Sequence, residues 1–288
     1  MIKNLLHIVR WPNLLMLAGI QSLVYFRLLD SDLTILRFPL FIVLSLVTIF
    51  LGAGGYVIND FYDVNIDQVN KPDQIIAGRV WTLSKVKLIY FILVGLGAAF
   101  SFFLSLQLDL IKYIFIYPLA VLGLWYYSFA LKCKPIIGNI WVSLFCAGVI
   151  GIVALPDFLL THSQPIRTDL WHYMAFAFLS TWYRELVKDI EDIEGDARAG
   201  CNTFIVRFGP DAGKIFAIAL GLCLLTSLII WDIGQTNKWI KLGLNVIQGF
   251  TIASMAFVWW AKNTTYYHHA SNVIKLVMAL GTSLLLLY

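Results

Sequence analysis

Nine stretches of this chain are apolar for long enough to cross a bilayer as helices: residues 13–29, 38–58, 86–107, 111–129, 136–155, 170–187, 214–232, 239–260 and 272–288. A hydrocarbon core of about 30 Å takes about 20 mostly apolar residues in helical form, and a helix satisfies its backbone polar groups within one segment. The chain of 288 residues is 60% hydrophobic and 13% charged, whereas soluble domains are about 45–50% apolar and about 25% charged. These proportions exclude a water-soluble globule. They also exclude a disordered chain, which combines low hydrophobicity with high charge. The expected fold is all-α: a polytopic membrane protein of nine transmembrane helices in a single domain over residues 1–288. Met1 to Leu29 has a basic start and an apolar run with no small-residue cleavage site after it, and reads as a retained first span.

Most of the 21 Lys and Arg fall in the N-terminus and in every second loop, among them Lys3, Arg10, Lys71, Arg79, Lys132, Lys134, Arg184, Lys188, Arg198 and Arg207. The positive-inside bias makes that face cytoplasmic, and an odd number of spans puts the C-terminus outside. A net charge of +4 without any Lys/Arg-rich run excludes a nucleic-acid partner. Cys133, Cys146, Cys201 and Cys223 form no CxxC pair, so neither a disulfide framework nor a zinc site is expected. His268-His269 is read as part of a short loop with no acidic partner close in sequence. Gly52-x-Gly54-Gly55 and Gly95-x-Gly97 lie inside spans and read as helix-packing surfaces.

The acidic residues are concentrated. Asp60, Asp63, Asp67 and Asp73 follow the second span, and Glu185, Asp189, Glu191, Asp192, Glu194 and Asp196 surround the end of the sixth. Both groups contain D-x-x-D-x-x-x-D, with the same offset between each pair of aspartates. Positions i, i+3 and i+7 share one helix face, so each span is expected to carry a carboxylate stripe at its cytoplasmic end. The repeated spacing implies two related four-helix halves plus a ninth helix. Clustered carboxylates repel one another unless a cation is present, and Mg²⁺ is held by one or two carboxylates together with substrate phosphates. Lys71 and Arg79 follow the first cluster, Arg184 and Lys188 border the second, and Lys132 lies in the loop between spans four and five. Such cations would hold a diphosphate and stabilise it as it leaves.

Asn59-x-x-x-Asp63-x-x-x-Asp67 with Asn70-Lys71-Pro72, Tyr127-Ser128 with Leu131-Lys132, Gly138-Asn139, and Arg184-Glu185 with Lys188 to Asp196 together resemble the UbiA superfamily of intramembrane prenyltransferases. The Arg10-Trp11-Pro12-Asn13 opening is similar to that family too. The resemblance covers nearly the whole chain. It implies a UbiA-type bundle whose cavity opens toward the lipid, with Mg²⁺ and an isoprenyl diphosphate at its cytoplasmic end. By the same resemblance Asn59, Asp60, Asp63, Asp67, Asp189, Asp192 and Asp196 would be the metal-binding set. Asp63, Asp67, Asp192, Asp196 and Lys132 would carry catalysis, and Asn59, Lys71, Arg79, Arg184, Lys188, Tyr127 and Asn13 would line the diphosphate side. One departure stands out: where the family usually has an Arg-Pro pair before the glycine, this chain has Asp73-Gln74-Ile75-Ile76-Ala77-Gly78, so that either Arg79 substitutes for the missing cation or the pocket takes a different donor.

Within the superfamily, the string from Lys188 to Asp196 most resembles the geranylgeranylglyceryl phosphate geranylgeranyltransferases. This implies transfer of a geranylgeranyl group from its diphosphate to the hydroxyl of a prenylated glycerol phosphate in a prokaryotic plasma membrane. The expected partners are geranylgeranyl diphosphate, a lipid-like or aromatic acceptor and the membrane lipids. An aromatic prenyltransferase of quinone synthesis, with a 4-hydroxybenzoate or homogentisate type of acceptor, shares the chemistry and differs in the acceptor. A cation transporter is the alternative of another class, since intramembrane carboxylates can mark an ion path. Its acids belong near the midplane, often in broken helices, whereas these gather at one membrane face beside basic residues.

Overall fold

The computed structural model describes residues 2–29, 34–70, 75–161 and 168–288. Thirteen α-helices follow one another: α1 Ile2–Ile8, α2 Trp11–Arg27, α3 Phe38–Tyr62, α4 Val64–Asn70, α5 Leu83–Gln107, α6 Ile116–Tyr126, α7 Ile137–Thr161, α8 Thr168–Glu191, α9 Ile193–Arg198, α10 Phe204–Phe208, α11 Pro210–Gly234, α12 Lys238–Trp259 and α13 Thr264–Ser283. A 3₁₀ turn at Ile111–Phe115 precedes α6, and a π turn at Tyr127–Leu131 follows it. Among the described residues there is no strand, only an isolated bridge between Ala77 and Trp81. The fold is all-α, as expected.

Local chemistry sets the helix ends. Proline stands in the first turn of α2, α3 and α11, where its missing N–H has no intrahelical use. Thr82, Thr203, Asn237 and Asn263 each accept a backbone N–H of the helix they open, satisfying one of the orphan donors there. The Asn263 cap explains one misplaced boundary: α13 begins at Thr264, ahead of the expected 272, because its polar opening turns carry no apolar signal. His268 and His269 therefore lie in a helix, not a loop.

Among the described residues seven helices are long and apolar enough to cross a membrane: Phe38–Tyr62, Leu83–Gln107, Tyr113–Leu131, Ile137–Leu160, Pro210–Gly234, Lys238–Trp259 and Thr264–Leu287. The first and sixth expected spans are helical as well. However, α2 has only 17 residues, and α8 carries Asp169, His172, Arg184, Glu185, Lys188 and Asp189. Phe115 and Leu119 on the α6 segment and Ile233 on α11 are more than 70% exposed, which suits a lipid-facing surface and would be costly in water.

The chain forms two compact units, one of residues 1–131 and 152–164, the other of residues 132–151 and 165–288. In the first unit α3 is central, packed on α2, α5 and α6. A Cβ on Gly52 would meet Leu14 and Leu17 of α2, one on Gly54 would meet Val94 and Tyr90 of α5, and one on Gly55 would meet Leu124 of α6. The packing role read from this glycine group holds. At the Gly95-x-Gly97 pair it holds for one member: Gly97 abuts Tyr117, whereas nothing lies within 4 Å of a Cβ at Gly95. Gln21 Nε2 donates to Thr48 Oγ1 at 2.9 Å between α2 and α3. Asp157, one residue after the in-helix Pro156, accepts from Thr34 Oγ1 and the Ile35 N–H, both at 2.7 Å.

In the second unit α8, α11, α12 and α13 pack as a bundle. Gly281 admits the Phe176 ring and Gly221 admits Met255. At one end of the bundle Asp169 Oδ1 accepts from Gln235 Nε2 at 2.8 Å, Tyr288 OH at 2.7 Å and Trp231 Nε1 at 3.4 Å, fastening the last residue to α8 and α11.

The two α5 glycines separate packing from propensity. Gly97→Ala forces Tyr117 aside and is expected to cost about 1–3 kcal/mol of stability, read as a lower thermal midpoint in detergent, while Gly95→Ala leaves the midpoint unchanged or slightly raises it.

Candidate active site

The first aspartate motif stands on a hydrophobic base. Ile8, Val9, Leu14, Ala53, Val57, Ile58, Ile76, Ala77, Trp81, Val86 and Tyr90 form one buried cluster, which joins α1, α2, α3 and α5 close to the end of α3. The expected unbroken helical stripe is interrupted here. α3 ends at Tyr62, Asp63 takes φ −84° and ψ 0°, and α4 starts at Val64. Hydrogen bonds from Asp63 N to Asn59 O (2.9 Å) and from Asp67 N to Asp63 O (2.8 Å) carry the helical spacing across the break.

Asp63 is only 4% exposed, and Asn59 Nδ2 donates to its Oδ2 at 2.5 Å. Arg10, with φ +51°, reaches Asp60 Oδ1 at 2.9 Å and lies over the Tyr56 ring at 4.9 Å. Asp60, expected among the metal ligands, is thus already paired with a guanidinium that the sequence reading gave no role.

The second motif repeats this design in the other unit. α8 ends at Glu191, Asp192 takes φ −95° and ψ 9°, and α9 starts at Ile193. Asp192 N donates to Lys188 O at 2.9 Å and Asp196 N to Asp192 O at 3.1 Å. Each break falls on the middle aspartate of its triplet. Asn139 Nδ2 donates to Asp189 Oδ2 at 2.8 Å, Lys188 Nζ lies 3.5 Å from Asp192 Oδ2, and Arg184 holds Glu185 at 2.8 Å. Arg184 Nε is buried without a hydrogen-bond partner, an N–H whose desolvation an anion would offset. Asp196 is 9% exposed.

Glu191 Oε1 lies 3.0 Å from His268 Nδ1, so His268 does have an acidic partner, contributed by a distant helix. Cys133 and Cys201 are joined as a disulfide across a sequence separation of 68. That corrects the expectation of none, which rested on local spacing and was blind to a pair brought together by folding. Cys146 and Cys223 are free.

The remaining expected residues are spread out. Asn13 is exposed on the first turn of α2, Arg79 is exposed on the turn after Gly78, and Tyr127 and Lys132 are half-buried on either side of Leu131. Lys71 and Gln74 lie outside the described residues. Arg10 and Asn139 had been visible only as letters in a family-like string, and their pairing with Asp60 and Asp189 has no local signal.

Among the described residues no group of three or more His, Cys, Asp or Glu side chains is gathered closely enough to hold a metal ion alone. The donors present are hard carboxylate and amide oxygens. They fit Mg²⁺, which keeps several waters and binds through one or two carboxylates plus substrate phosphates, and do not form an all-protein cage.

The profile of the UbiA prenyltransferase family matches residues 28–279. The chain belongs to the UbiA prenyltransferase family. It is an integral membrane protein and a prenyltransferase by family. It is similar to the digeranylgeranylglyceryl phosphate synthase of Methanobrevibacter smithii, at 34% identity over 211 residues, 72% of this chain and 73% of that one. A solved structure described as digeranylgeranylglyceryl phosphate synthase in membranes has the same fold, with a TM-score of 0.73 and 22% identity over 99% of this chain and 97% of the other. A UbiA homologue from Archaeoglobus fulgidus, solved with GPP and Mg²⁺, gives a TM-score of 0.64 at 16% identity over 98% and 99%.

The Arg10 pairing sets an order among the acids. Asp63→Asn is expected to weaken Mn²⁺ binding by about tenfold or more, while Asp60→Asn weakens it distinctly less; titration of the purified protein followed by electron paramagnetic resonance reads both.

Proposed function

We propose that this UbiA-family protein transfers a geranylgeranyl group from its diphosphate to the free hydroxyl of a prenylated glycerol phosphate, using Mg²⁺. The observation that carries the reading is the pair of aspartate motifs, each broken at its middle residue and each standing at the end of a long helix. The relative from Methanobrevibacter smithii supports the choice of acceptor through its 34% identity over 211 residues, and the Archaeoglobus homologue with GPP and Mg²⁺ supports the donor class and the ion.

In this reading Asp63, Asp67, Asp189, Asp192 and Asp196 supply the metal-binding oxygens, and Asn59 orients Asp63. Bound there, Mg²⁺ would neutralise charge on the departing diphosphate. Lys132, Lys188 and Arg184, with Lys71 and Arg79, take up the rest of that charge; Tyr127 and Asn13 complete the polar lining. As the allylic carbon–oxygen bond to the diphosphate breaks, the acceptor hydroxyl oxygen bonds to that carbon and releases its proton. The apolar surroundings keep water from competing for the carbon. We further place all nine helical segments across a prokaryotic plasma membrane as one domain of two related four-helix halves plus one helix, with the N-terminus and both motifs cytoplasmic and the C-terminus outside.

Purified protein with Mg²⁺, geranylgeranyl diphosphate and geranylgeranylglyceryl phosphate is expected to give the doubly prenylated glycerol phosphate. Asp63→Ala and Asp192→Ala should each lower turnover by about 100-fold or more, and chelation of the metal should abolish it. Product only with 4-hydroxybenzoate would move the protein to quinone synthesis and overturn the acceptor assignment.

A further inference from the structure

The segment from Lys132 to Asn139 is fastened to the second aspartate motif at both ends. At its start, Cys133 is bonded to Cys201, with a Cα–Cα distance of 4.6 Å, and the Cys133 carbonyl accepts the Asn202 N–H at 2.9 Å. Cys201 is buried, and its own N–H donates to the Asp196 carbonyl at 2.9 Å. At its end, Asn139 Nδ2 holds the carboxylate of Asp189 at 2.8 Å. Asp189 and Asp196 are the first and last aspartates of the motif, so the segment is clamped at the two limits of the acidic string.

Between the clamps the backbone is forced. Ile136 sits at φ +64°, the left-handed region that a β-branched residue avoids. Such a conformation persists where its surroundings over-determine it, and it clusters at sites that need pre-set geometry. Lys132 is the residue immediately before the disulfide.

We infer that Cys133 and Cys201 are positioning residues for the transfer: their bond sets where Lys132 stands relative to the second aspartate motif, and so how the prenyl diphosphate is gripped. The inference rests on the reading of Lys132 as a diphosphate donor. A long, flexible lysine serves as a donor at a fixed point only if its backbone is fixed, and small misplacements of a positioning group are costly in rate.

The test uses the full-length protein in detergent, purified without reductant. Alkylation of the denatured chain should label Cys146 and Cys223 alone, and all four cysteines after dithiothreitol, which passes two electrons and two protons to the Cys133–Cys201 sulfurs and becomes a cyclic disulfide. Reduction of the folded enzyme should raise KM for geranylgeranyl diphosphate by about tenfold with a smaller change in kcat, and reoxidation with oxidised glutathione should restore it. Because reduction acts on protein already folded, loss of folding in a Cys133→Ser/Cys201→Ser variant does not confuse the result.

A double-mutant cycle with Lys132→Ala separates positioning from general support. In the Lys132→Ala protein, reduction should change KM by less than about twofold. An equal rise in both backgrounds, no rise in either, or four labelled cysteines before reduction overturns the inference. Absence of transfer by the oxidised wild-type protein with every acceptor strikes instead at the proposed function, and the positioning role falls with it.

Discussion

Carboxylates withdrawn from water at a helix end are tolerable only when something answers their charge, and the structure around both motifs follows from that requirement. An ionised group that leaves water without a partner loses far more than one hydrogen bond returns. Four of the motif acids have a dedicated neighbour: Asn59 for Asp63, Arg10 for Asp60, Asn139 for Asp189 and Lys188 for Asp192. The partners come from the helix itself, from the N-terminal turn, from the preceding span and from one turn back. The N-terminal segment and the start of α7 thus serve the site as much as the helices that bear the aspartates.

The broken helices add a second consequence. An uninterrupted helix would point all three aspartates of a motif along one straight stripe. A break at Asp63 or Asp192 lets the third aspartate turn with a short helix of its own, while the two i→i+4 hydrogen bonds keep it in sequence register. α4 and α9 are too short to be stable alone. They are held by the bonds that cross the break and by what surrounds them.

Much of this was legible from the sequence. The apolar runs placed nine helical segments, and the twinned D-x-x-D-x-x-x-D located both motifs and their family. Three features were not legible, each for a physical reason. A 3.6-residue pattern runs straight through Asp63 and Asp192, because the hydrogen bonds that preserve the spacing also hide the break. The opening turns of α13 are polar, so hydropathy starts that helix at 272, although the Asn263 cap starts it at Thr264. Contacts between distant residues, Glu191 with His268 and Cys133 with Cys201, depend on packing that no local window contains. Lys71 and Gln74, where the chain departs from the family pattern, lie outside the described residues.

The glycines of α3 carry a consequence for aim. Gly52, Gly54 and Gly55 face three different neighbours, on α2, α5 and α6, so rotating α3 about its own axis by a fraction of a turn would drive side chains into backbone on more than one side at once. The helix is therefore locked in azimuth as well as in depth. Asn59 and Asp60 follow a few residues later on the same rigid rod, so the bearing of the first motif is dialled in by residues with no side chain at all, about one to two turns away. A bulky residue at one of these glycines would act as an angular error, swinging the acids off their heading while leaving every one of them in place in the sequence.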